Sequence, residues 1–95
     1  MSDRAWSDGP MFQDTSGALA AESKRLGRMV DRFAVAMKVK LRKKAQEGYG
    51  GWDDPVKFPD KNLHEGLFRH VERGDWIDIA NFAAMIWYRQ QTRKT

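Results

Sequence analysis

Apolar residues recur at three- and four-residue steps along the first half of the chain: Leu19, Leu26, Met29, Val30, Phe33, Met37 and Leu41 fall on one side of a helical repeat. A long amphipathic helix is predicted from about Thr15, with Asp14, Thr15 or Ser16 able to cap it. Gly27 costs that helix about 1 kcal/mol relative to Ala, so two shorter helices are the alternative. The pattern stops at Gly48-Tyr49-Gly50-Gly51-Trp52-Asp53-Asp54-Pro55, where glycines and a proline favour a loop. Asp60 or Asn62 can cap a second helix, with Leu63, Leu67 and Val71 on one face and Glu65, Arg69 and Glu72 on another. Gly74 closes it, and Asp75 caps a third helix running to about Gln90. That helix is apolar on nearly every side, through Ile77, Ile79, Ala80, Phe82, Ala83, Ala84, Met85, Ile86 and Trp87, and is expected to be buried nearly all round. Residues 1–14 read as an irregular arm whose Trp6, Met11 and Phe12 can dock elsewhere, and 93–95 as a basic tail. No strand-length alternation or internal repeat is present. The expected fold is all-α, a small bundle of three or four helices forming one domain over 15–92.

Asp78 breaks the apolar pattern of the third helix. An unpaired buried carboxylate costs several kcal/mol, so Asp78 needs a cation, a metal or strong donors. Asp75, Asp78 and Asn81 are three residues apart and point the same way from a helix. Such a row suits Mg²⁺, which takes one or two carboxylates and completes its shell with water and substrate phosphates. Glu65 and Glu72 of the second helix can supply further ligands. Each residue also has a structural role open to it: Asp75 as an N-cap, Asp78 in an ion pair with Lys or Arg of the first helix, and Glu65 and Glu72 as surface residues. His64 and His70 are six apart and face different sides of a helix, which counts against a zinc site and favours His70 as a hydrogen-bonded packing residue.

Composition narrows the classes. The 95 residues carry a formal charge of +4, but from Thr15 to Glu47 nine basic residues face three acidic ones, a balance of 9 − 3 = +6 that leaves −2 for the rest. A basic half and an acidic half suit a metal-chelated phosphate ligand. They disfavour a long nucleic acid, whose backbone the acidic half would repel. The absence of cysteine excludes disulfides and thiolate sites. No apolar run is long enough to span a bilayer, and a cytoplasmic, self-associating protein is expected, since a chain this short builds a thin core. Lys38 to Lys44 lead directly into the Gly-rich loop with Tyr49 and Trp52. Lys40 and Lys44 can hold phosphates while Tyr49 or Trp52 stacks on a base, although Trp52 can equally serve to pack the loop. The loop lacks the order of a P-loop.

Three phrases carry a family resemblance: Phe33-x-x-x-Met37-x-x-Lys40-Leu41, Glu47-Gly48-Tyr49-Gly50-Gly51-Trp52-Asp53-Asp54, and Leu67-x-x-His70-Val71-x-x-Gly74-Asp75-x-x-Asp78-x-Ala80-Asn81-Phe82. The stretch from about Phe33 to Trp87 resembles phage and prophage small proteins similar to the dATP/dGTP pyrophosphohydrolase domain, related to the all-α MazG-like nucleotide pyrophosphatases. The resemblance implies a Mg²⁺-dependent pyrophosphohydrolase acting on purine deoxynucleoside triphosphates in a bacterial host, with its site between four helices and often across a dimer. Glu65 and Asp78 would be catalytic, Glu65, Glu72, Asp75 and Asp78 would hold the metal, and Lys40, Lys44, Tyr49, Trp52 and Asn81 would bind substrate. Asp75-x-x-Asp78 matches the family's ExxD. Where its EExxE helix belongs stands His64-Glu65-Gly66-Leu67-Phe68, which keeps only Glu65. A non-catalytic module binding a nucleotide or a host protein is the alternative.

Overall fold

The computed structural model describes residues 17–93 and is helical throughout its regular structure, with no strand among the described residues. Helix α1 spans Ala18–Gln46, α2 Asp60–Arg73 and α3 Trp76–Arg93. The predicted caps Asp14, Thr15 and Ser16, and the arm with Trp6, Met11 and Phe12, lie outside the described residues. Gly27 does not break α1, so one helix of 29 residues forms rather than two. The chain divides into two compact units, residues 1–31 and 32–95. In the first, the described residues are helical and expose Leu19, Leu26, Met29 and Val30, with a surface ion pair between Arg25 and Glu22 at 2.9 Å.

In the second unit, α2 and α3 form a helical hairpin. Gly74, between them, has φ 71° and ψ 25°, a left-handed conformation that glycine adopts without a Cβ clash. Its N–H donates to the Val71 carbonyl and the Asp75 N–H donates to that of His70, both at 3.1 Å. This is the Schellman pattern, which satisfies the last carbonyls of α2. The chain then turns at once into α3, and Ile79 N–H donates to the Asp75 carbonyl at 2.9 Å.

The hairpin packs closely because Gly66 has no side chain: a Cβ there would lie 2.7 Å from Phe82 Cε1 and Cζ. Leu63, 1% exposed, is the core's fully buried apolar side chain among the described residues. Burial of α3 on all sides is not observed. Its buried residues are Asn81 and Arg89, whereas Trp76 is 67% and Trp87 61% exposed. With three helices in the described chain, α3 has neighbours on one side only, and that side carries its polar row.

Asp60 does not cap α2 through its side chain. Pro59 occupies the N-cap position with no side-chain cap hydrogen bond, and the Asp60 carboxylate turns to α3. It accepts two hydrogen bonds from Arg93 Nη2, at 2.7 and 2.8 Å, and lies 3.0 Å from Arg89 Nη2. Arg89 Nη1 donates to the carbonyls of Trp52 at 3.2 Å and Phe58 at 2.7 Å. One buried guanidinium thus fastens both ends of the loop's later half to α3, a use of arginine's rigid fork of donors. Within the loop, Asp54 Oδ1 accepts the N–H of Val56 at 2.9 Å and of Lys57 at 3.3 Å, an Asx-type turn that fixes the approach to Pro59.

Candidate metal and ligand cleft

The α2–α3 turn decides the chemistry of the site. Because Gly74 reverses the chain directly after α2, His70 in the last turn of α2 meets Asp75 and Asp78 at the start of α3. His70 Nδ1 lies 3.1 Å from Asp75 Oδ2 and 3.7 Å from Asp78 Oδ2. A carboxylate only accepts, so in the Asp75 hydrogen bond Nδ1 carries the proton. The imidazole is held from the side by Phe82, stacked with centroids 5.4 Å apart and an interplanar angle of 26°. One ligand atom each from His70, Asp75 and Asp78 falls within 4.8 Å of the others. Both carboxylates also sit at an α3 N-terminus, where the helix dipole favours negative charge.

From α1, Lys40 Nζ reaches Asp78 Oδ2 at 3.3 Å, so Asp78 makes an ion pair with the first helix. One turn further along α3, Asn81 is 4% exposed. Its Nδ2 donates to the Met37 carbonyl at 3.4 Å, while its buried Oδ1 has no hydrogen-bond partner. Such an orphaned acceptor costs about 1–3 kcal/mol.

These groups lie along a cleft of about 1130 Å³, large enough for a small-molecule ligand. Seven of the sequence-predicted site residues line it: Lys40, Lys44, Tyr49, Trp52, Asp75, Asp78 and Asn81. Trp52 packs edge-on against Tyr88, with centroids 5.3 Å apart at 68°, so it joins the loop to α3 while forming part of the wall. Tyr49 is 69% exposed, with Lys44 Nζ 5.2 Å from its ring centroid; the same Nζ lies 3.5 Å from Glu47 Oε1. Glu65 and Glu72 are exposed, do not line the cleft and do not join the His70 cluster. Residues that the sequence did not single out for the site also line the cleft: His70, Arg69, Arg73, Trp87 and Tyr88. The two arginines add cations to a rim that already holds Lys40 and Lys44.

No protein-family model matches the chain, and it gives no significant match to a curated protein or to a solved structure. The site's chemistry therefore rests on its own geometry. The four-carboxylate set implied by the resemblance, Glu65, Glu72, Asp75 and Asp78, is not gathered in one place; what converges is two carboxylates and an imidazole.

Proposed function

We propose that the cleft binds a nucleotide, with cations on the phosphates and aromatic rings beside the base. The observation that carries this is the meeting, in one cleft, of Lys40, Lys44, Arg69 and Arg73 with the rings of Tyr49, Trp52, Trp87 and Tyr88. Cations favour a phosphate chain, and flat apolar walls favour a base. In the hydrolytic form of this proposal, a purine deoxynucleoside triphosphate is cleaved to its monophosphate and pyrophosphate. Asp75 and Asp78 would then help to hold Mg²⁺ on the phosphates, an ion that supplies charge neutralisation and orients water when bound. The chain's own part is to offer carboxylates to the ion and ammonium and guanidinium groups to the phosphates.

Non-catalytic binding is the second form, favoured by two observations. Lys40 already neutralises Asp78 at 3.3 Å, and Glu65 and Glu72 lie away from the cleft. Self-association belongs to the proposal too. Phe33, Val35 and Val39 of α1 and Trp76 of α3 are exposed, apolar residues that a second copy would cover.

Incubating the purified chain with a panel of dNTPs and NTPs, with Mg²⁺ or EDTA, tests it. Release of monophosphate and pyrophosphate with Mg²⁺ alone supports the hydrolytic form. Saturable binding without release supports the binding form, and no binding of any nucleotide at millimolar concentration refutes both.

A further inference from the structure

We infer that His70, Asp75 and Asp78 form a three-ligand site for a transition-metal dication of the zinc and cobalt class, bound by the chain without a nucleotide. It shares the cleft proposed above for nucleotides but depends on neither nucleotide binding nor turnover. The donor set distinguishes this site from one for Mg²⁺. A hard ion prefers oxygen and keeps its waters, whereas an imidazole among the ligands shifts preference toward Zn²⁺, Co²⁺ and Ni²⁺, ahead of Mn²⁺ and Mg²⁺.

Geometry provides the first support. The three ligand atoms lie within 4.8 Å of one another, close enough for one ion to touch all three after small side-chain rotations; an ion on the His70 nitrogen that faces Asp75 displaces the proton held between them, so binding releases it to solvent. They come from a rigid connection, the last turn of α2 and the start of α3 joined through Gly74, so their spacing does not depend on a mobile loop. Phe82 stacks on the imidazole and limits its rotation. The ligands would leave coordination positions open on the cleft side.

Asn81 gives independent support. It is 96% buried, on the complement of its 4% exposure, lines the same cleft one turn from Asp78, and has an acceptor oxygen with no donor. A metal-bound water is a strong donor and would satisfy it. Lys40 is the built-in competitor, since its ammonium lies 3.3 Å from Asp78 Oδ2 and must withdraw for an ion to take that oxygen. Its side chain is 37% exposed, so it can turn toward solvent.

Isothermal titration of the full chain, stripped of metal and free of nucleotide, with Zn²⁺, Mn²⁺ and Mg²⁺ in turn tests the site. One Zn²⁺ per chain is expected, bound at least about tenfold more tightly than Mg²⁺. Lys40→Met should tighten Zn²⁺ binding, and His70→Gln should weaken it at least about tenfold. Asp75 is exposed, so Asp75→Asn provides a loss-of-ligand variant that should keep its helix content by circular dichroism and still weaken Zn²⁺. Co²⁺ substitution should add visible absorption that the Asp75→Asn chain lacks. Equal or tighter binding of Mg²⁺, Zn²⁺ binding unchanged in a folded Asp75→Asn chain, or weaker binding in Lys40→Met would overturn the site. Because nucleotide is absent from every arm, a negative result here leaves the nucleotide proposal standing, and a negative nucleotide panel leaves this one.

Discussion

Phe82 lies where a side chain on Gly66 would have to go: a Cβ at Gly66 would meet the far edge of the Phe82 ring at 2.7 Å. The same ring stacks on His70, so helix packing and site geometry share one side chain. Gly66→Ala should therefore be destabilising, even though Ala gains about 1 kcal/mol in helix propensity. Overpacking of this kind costs about 1–3 kcal/mol, and the ring cannot move without disturbing His70. Chemical denaturation should show a lower midpoint for Gly66→Ala. Adding Phe82→Leu should restore part of the loss, and additive effects of the two changes would argue against direct contact.

Asp78→Asn separates the ion-pair role from ligand chemistry. It leaves Lys40 without its carboxylate, but Lys40 is more than a third exposed and can be hydrated. The loss should thus be about 1 kcal/mol, as for exposed pairs, well short of the roughly 3–5 kcal/mol of a fully buried pair. A small fall in melting temperature together with loss of metal binding is expected. An Asp78→Asn chain that keeps its metal affinity would remove this residue from the site.

Arg89 and Arg93 both meet Asp60, yet they should differ sharply in mutation. Arg89 is 4% exposed and holds two loop carbonyls besides Asp60, so Arg89→Met strands acceptors and should cost on the order of 3 kcal/mol. Arg93 has a side chain 56% exposed, and Arg93→Met should cost under about 1 kcal/mol. Urea unfolding of the two variants gives the ranking, and the reverse order would contradict this account of the loop anchor.

Self-association is testable on the exposed rings. Light scattering should report a multiple of the 11.0 kDa chain. Trp76→Lys, placing charge on an exposed position of α3 that does not line the cleft, should shift the population toward monomer while preserving helix content. A wild-type monomer at micromolar concentration would contradict the proposed pairing.

Much of the backbone plan was legible in the sequence. The long apolar stripe gave α1, the glycines and Pro55 gave the loop, and Gly74 gave the α2–α3 break, because periodicity and glycine act locally. Asp78 was also legible as a polar residue in need of a cation, which Lys40 supplies. The sequence did not reveal which face of α3 turns inward. Asp78, Asn81 and Arg89 share that face with the half-buried Met85, so polar groups hold the most buried positions while Trp76 and Trp87 are exposed, against the usual direction of burial. His70 was set aside because its spacing to His64 is wrong for a shared ion, whereas its partners come from across the Gly74 turn. Gly66 was visible only as a missing carboxylate; its role as a close-packing position depends on Phe82, 16 residues later. The sequence offers Asp60 as a cap because its carboxylate can accept from the first N–H groups of α2, but Arg89 and Arg93 of α3, distant in sequence, take that acceptor instead.

The Arg89 anchor has a consequence for the order in which the molecule assembles. The α2–α3 hairpin closes across Gly74 and Asp75, a short loop with little closure entropy, while Arg89 reaches back 37 positions to Trp52 and 31 to Phe58. Long-range links of this sort form after local ones, and none of residues 47–59 is itself buried, which puts the segment among the parts that open locally. The segment from Glu47 to Pro59 should therefore detach as a unit while α2 and α3 stay paired. Amide hydrogens of that segment would exchange by this local opening, ahead of those in the hairpin. One wall of the cleft would then open and close faster than the protein unfolds, giving ligands a way in that does not disturb the His70 cluster.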